Sequence, residues 1–139
     1  MELRDVVSTA VSCRPETTLA EAARQMDDEG VGSVVVVDGI GNVVGIVTDR
    51  DITVRGMAAD RPPTTPVKQV MTSDVVLVRE DSDLFEAARQ MAAAECRRLP
   101  VVGSDGALVG VVTLDDLMLL FAHQTDSLAS VIAAETAIH

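Results

Sequence analysis

The sequence predicts an α/β (α+β) fold made of two β-α-β-β-α repeats packed face to face with pseudo-two-fold symmetry. Three observations predict it. First, the hexapeptide EAARQM stands at Glu21–Met26 and again at Glu86–Met91, and sliding residues 4–54 onto 69–119 without a gap matches 18 of 51 positions, as a tandem repeat requires. Second, each copy carries one helical apolar stripe followed by two β-branched runs. Third, a single unit of this length has too small a core to stand alone, so two copies must bury their sheets against each other.

The elements follow in order. "AVSC" (Ala10–Cys13) reads as a short first strand, and Leu19, Ala22, Ala23 and Met26 then fall at i, i+3, i+4 and i+7 on one face of a helix. Thr18 with Glu21 has capping-box spacing at its start. "VGSVVVVD" and "VVGIVT" are strands joined as a hairpin across "GIGN", and a second helix starts after Thr48. The stretch "AADRPPTTP" (Ala58–Pro66) has the composition of a linker. Leu84, Ala87, Ala88 and Met91 repeat the stripe behind Asp83 and Glu86, and "RRLPVV" and "LVGVVT" repeat the hairpin across "SDGA". The expected boundaries are 7–65 and 71–127 for the repeats and 128–139 for a C-terminal helical tail. In the tail Leu128, Val131, Ile132 and Ala134 recur at helical intervals, suited to covering a neighbour, a dimer partner or the chain's own surface.

Composition narrows the function. Aromatics are 1% of the chain, Phe85 and Phe121 alone, so stacking platforms are missing, while 47% hydrophobic residues suffice for a packed core. With 22 acids against 11 bases, the net charge of −11 repels a phosphate backbone and argues against nucleic acid. The start "MELRDVV" opens no long apolar segment, so neither a signal peptide nor a membrane span is expected and the protein is expected in the cytoplasm. Cys13 and Cys96 form no C-x-x-C motif and read as small buried residues. His123 and His139 have no nucleophile or metal partner by spacing, so no catalytic step, metal or required cofactor is expected. "GIGNVVG" (Gly39, Gly41, Gly45) imitates a dinucleotide fingerprint but joins two strands, whereas the fingerprint must open a helix.

One motif remains, the T-x-x-D that ends each hairpin: Thr48 with Asp51, and Thr113 with Asp116. Its structural explanation is a helix N-cap, with the hydroxyl accepting from a first-turn N–H and the acid sitting in the first turn. Its functional explanation is a ligand site. First-turn N–H groups and a hydroxyl can hold a phosphate oxygen, and a carboxylate can accept both hydroxyls of a ribose.

A duplicated β-α-β-β-α unit in which each copy ends G-h-h-T-x-x-D (h apolar) resembles a tandem pair of CBS domains, the Bateman module, over all but about the last fifteen residues. The resemblance implies a regulatory module that binds AMP, ADP, ATP, S-adenosylmethionine or a similar adenosine-containing ligand in clefts between the repeats. With no effector domain attached to the two repeats, such a module is expected to act in trans on an unidentified protein target. It implies that Thr48 and Asp51 serve one cleft and Thr113 and Asp116 the other, threonine by the phosphates and aspartate on the ribose. Val11 and Val76, with Leu99 and Pro100, are then the adenine-side residues, and Arg98, with Arg50 second to it, the phosphate cation. The first copy departs from the pattern, having Ser33, Val34 and Val35 where the second has Arg98, Leu99 and Pro100. The alternative is a structural or interaction protein of the same fold whose clefts bind nothing. The apolar run "LMLLFA" (Leu117–Ala122) exceeds what two small repeats can cover and predicts a homodimer.

Overall fold

The computed structural model describes residues 2–138, with side chains through residue 135, so His139 lies outside the described residues. Two three-stranded sheets are present, in the strand orders β1-β2-β3 and β4-β5-β6. In the first, β1 (Ser12–Cys13) lies parallel to β2 (Ser33–Val37), which pairs antiparallel with β3 (Val43–Thr48). The second repeats this with β4 (Val78–Arg79), β5 (Arg98–Val102) and β6 (Leu108–Thr113). The first strands are shorter than expected, and Val76 precedes β4 rather than belonging to it.

Helix α1 (Leu19–Glu29) starts with a closed capping box, Glu21 N–H donating to Thr18 Oγ1 at 3.1 Å and Thr18 N–H to Glu21 Oε2 at 3.2 Å. Helix α3 (Leu84–Ala94) has only half of one. Asp83 accepts from Glu86 N–H at 2.8 Å, but the Glu86 carboxylate turns to Arg89 and Gln90, which hold it below the usual carboxylate range, the Gln90 bond being the larger cause. Most of each stripe read from the sequence faces inward, with Leu19, Ala22 and Met26 buried on α1 and Leu84, Ala87 and Met91 on α3, but Ala23 is exposed and Ala88 half-buried.

The last helices of the repeats differ. After β3, helix α2 (Asp49–Asp51) passes at once into a π-helical turn, Ile52–Met57, ahead of the proline-rich linker. After β6, helix α4 runs unbroken from Leu114 to Ile138, so the tail continues this helix instead of forming one of its own. Its stretch Leu114–Glu135 is long and apolar enough to cross a membrane by length and composition, and almost none of it is buried.

The repeats are joined by exchanged segments. Leu3, ahead of the first repeat, is buried in the core of the second with Leu99, Val101, Val112 and Leu117. Val67 and Val70, ahead of the second repeat, are buried in the core of the first with Val34, Val36 and Val47. Each segment also pairs with the far repeat's outer strand: Ser8 exchanges two backbone hydrogen bonds with Val111 and Thr72 two with Ile46, all at 2.9 Å. The glycine of G-h-h-T makes this approach possible. A Cβ on Gly45 would meet Met71 Sδ at 2.6 Å and Thr72 O at 2.9 Å, and one on Gly110 would collide with the carbonyl of Ser8.

Candidate functional site

Both T-x-x-D motifs sit at a strand-to-helix junction, and both make a cap. At the first, Asp51 N–H donates to Thr48 Oγ1 at 3.0 Å and Thr48 N–H donates back to Asp51 Oδ2 at 3.1 Å. Arg55 stands 4.0 Å from the other oxygen of Asp51. At the second, Asp116 N–H donates to Thr113 Oγ1 at 3.1 Å, but among the described residues nothing bonds the Asp116 carboxylate. The two aspartates are therefore equivalent in sequence and different in engagement.

Strand register brings the two junctions together. Ser33 lies opposite Thr48, and Arg98 opposite Thr113, in their antiparallel pairs. Arg98 then reaches across to the other repeat, donating from Nη1 to Ser33 Oγ at 3.2 Å. Beside it a cavity of about 180 Å³ opens between the repeats, walled by Val76, Leu99 and Pro100 on one side and by Ile46 and Thr72 from the exchange point on the other. Of the residues singled out in the sequence, Arg98, Leu99, Pro100 and Val76 share this cavity, whereas Thr113 and Asp116 stand outside its wall at the strand end facing Arg98.

The first-repeat candidates are more scattered. Val11 packs against the first core, its carbonyl accepting from Val35 N–H at 2.9 Å. Arg50 is exposed on α2, and among the described residues only its backbone is tied down, by Asp49. Sequence reasoning missed Ile46, Thr72, Asp74 and Cys96, all in the cavity wall. Thr72 and Ile46 arrive there through the segment exchange, which no local pattern records. Cys96 is half-buried rather than buried; Cys13 is buried, and desolvation pushes its thiol up, partly offset by a hydrogen bond with Thr17. Larger apolar hollows lie elsewhere, on the helical face. One of about 400 Å³ is lined by Leu19, Ala23, Ile52 and Met57, and one of about 570 Å³ by Leu84, Phe85, Leu120 and Phe121.

A CBS domain family model matches residues 3–56 and again 67–123. The chain belongs to the CBS domain family. It is 41% identical over 104 residues to an uncharacterized 17.7 kDa protein of Acidianus ambivalens, covering 75% of this chain and 62% of that protein. It is 39% identical over 116 residues to the CBS domain-containing protein YhcV of Bacillus subtilis, covering 83% of this chain and 81% of that one. A second archaeal relative, from Methanopyrus kandleri, is 34% identical and matched over 57% of its own length, so the first two archaeal relatives extend well beyond the shared region. Among solved structures, the CBS domain pair of protein MJ0100 in complex with 5′-methylthioadenosine and S-adenosyl-L-methionine superposes with a TM-score of 0.78 at 26% identity, covering 89% of this chain and 98% of that one. The cytosolic domain of the Mg2+ channel MgtE in complex with ATP superposes with a TM-score of 0.75 at 33% identity, over 86% of this chain and 48% of that one.

Proposed function

We propose that this CBS pair is a regulatory module that binds an adenosine-containing ligand, AMP, ADP, ATP or similar, in clefts between its repeats. It acts by binding, without catalysis, in trans on a protein partner in the cytoplasm, and as a homodimer. The observation that carries the reading is the second-repeat cleft, where an apolar slot contains a guanidinium held by a neutral hydroxyl, while outside its wall, at the strand end opposite Arg98, the Asp116 carboxylate has no partner among the described residues. The slot suits a purine face, Arg98 and Thr113 suit a phosphate, and Asp116 retains its acceptors for ribose hydroxyls. Thr48, Asp51, Val11 and Arg50 would form the weaker, first-repeat cleft. Relatives solved with 5′-methylthioadenosine, S-adenosylmethionine and ATP support the ligand class.

Thermal denaturation against a panel of adenosine nucleotides tests it. A ligand that binds only the folded chain adds about 2.7 kcal/mol at a hundredfold excess over Kd, a rise of several degrees in Tm. No rise with any member of the panel would leave the interaction-protein reading, which the closed Thr48–Asp51 box already favours at the first junction.

A further inference from the structure

Arg98 and Ser33 are the same position in the two repeats, 98 − 33 giving the repeat offset of 65. Their side chains meet at 3.2 Å, so the pseudo-two-fold axis passes between them. Arg98 leaves its strand opposite Thr113 and ends beside Ser33, which lies opposite Thr48. One guanidinium thus stands between both helix starts. The cations around it are placed otherwise. Arg97 is paired with Asp115 at 3.2 Å, Arg55 is turned to Asp51 and to the carbonyls of Val70 and Met71, and Arg50 holds the position that Asp115 holds in the second repeat, on the exposed side of the helix. Among the described residues Arg98 has a hydroxyl and no carboxylate for partner, in a chain with 22 acids and 11 bases.

A neutral hydroxyl yields readily to a phosphate, because charge-assisted bonds are about twice as strong as neutral ones. The fork can, however, clasp one phosphate at a time. We propose that Arg98 is a single counter-charge shared by the two clefts, so that a phosphorylated adenosine bound in one weakens the binding of a second in the other, while an uncharged nucleoside is indifferent to it. This rests on the nucleotide reading above. The second phosphate loses the guanidinium and meets the negative charge of the first. Repeat equivalence supplies the remedy: Ser33→Arg gives each half its own cation.

Calorimetric titration of the wild type, Arg98→Gln and Ser33→Arg with AMP and, separately, with adenosine tests this. In the wild type the two AMP steps are expected to differ by at least tenfold more than the two adenosine steps. Ser33→Arg is expected to tighten the weaker AMP step at least tenfold, and Arg98→Gln to weaken the stronger AMP step by as much and by at least tenfold more than it weakens the adenosine step, with the melting temperatures of the ligand-free variants as the control for folding. Two AMP steps no further apart than the adenosine steps, or a weaker step that ignores Ser33→Arg, would overturn the sharing alone. Absence of binding by either ligand to the wild type would overturn the nucleotide reading and this inference with it.

Discussion

Asp51 and Asp116 occupy one position of the repeat and are committed differently, which separates their mutants. Asp51 closes a capping box and lies near Arg55, so Asp51→Ala removes a reciprocal bond and should destabilise the ligand-free chain by about 1 kcal/mol, with a smaller loss of ligand affinity than Asp116→Ala. Asp116 lends only its backbone N–H to the cap, so Asp116→Ala should leave stability nearly unchanged. It should instead weaken an adenosine ligand about thirtyfold, roughly 2 kcal/mol, by removing the ribose acceptor. Urea denaturation and calorimetry on the same two proteins check both halves. A larger affinity loss at Asp51, or a stability loss confined to Asp116, would reverse the assignment. The motif was legible in the sequence, but which copy has its carboxylate free was not, because that depends on where Asp51 and Arg55 turn in space.

At the scale of elements, the legible parts are those that local physics dictates. Helical stripes buried Leu19, Ala22 and Met26 as expected, and Thr18 and Asp83 cap where their spacing says, although Glu86 abandons the second box for Arg89 and Gln90. The unbroken α4 was missed because Ala122–Ser127 contains neither glycine nor proline to stop it, while its apolar pattern fades there and imitates a boundary. The exchanged segments were invisible for a different reason: Ser8 meets Val111, and Thr72 meets Ile46, through pairings that no short-range pattern encodes. Their sequence trace was the glycine preceding h-h-T, whose role appears only once the incoming backbone is in place. Gly110→Ala should therefore cost about 2 kcal/mol or more, since the added methyl strikes the backbone of Ser8. Gly45→Ala should cost less, because its nearest neighbour is the flexible end of Met71. Urea midpoints of the two variants decide the order, and equal losses would mean that both edges relax alike.

For the whole molecule, the crossed segments place a piece of each repeat in the other's core, so the pair is one body whose outer face is helical and incompletely covered. Phe85 and Phe121 stack with ring centroids 5.4 Å apart, yet Phe85 is 64% exposed. Met118 and Leu119 are 61% and 72% exposed, and Leu128, Val131 and Ile132 on the overhanging part of α4 are each about two-thirds exposed. So many exposed apolar side chains along one helix call for a cover. An anionic lipid surface suits it poorly, because the sequence contains no Lys or Arg after Arg98 and interfacial helices bind such lipids through those residues. A second copy suits it better, since a two-fold dimer lays the same apolar face of both chains together and buries α4 twice over. The chain should therefore be dimeric by light scattering at micromolar concentration. Replacing Leu128 and Ile132 together by Glu should shift it toward monomer without lowering the affinity of the inter-repeat cleft, which those residues do not line. A wild-type chain that is monomeric, or that floats with zwitterionic vesicles in place of self-associating, would refute the dimer and reassign the face of α4.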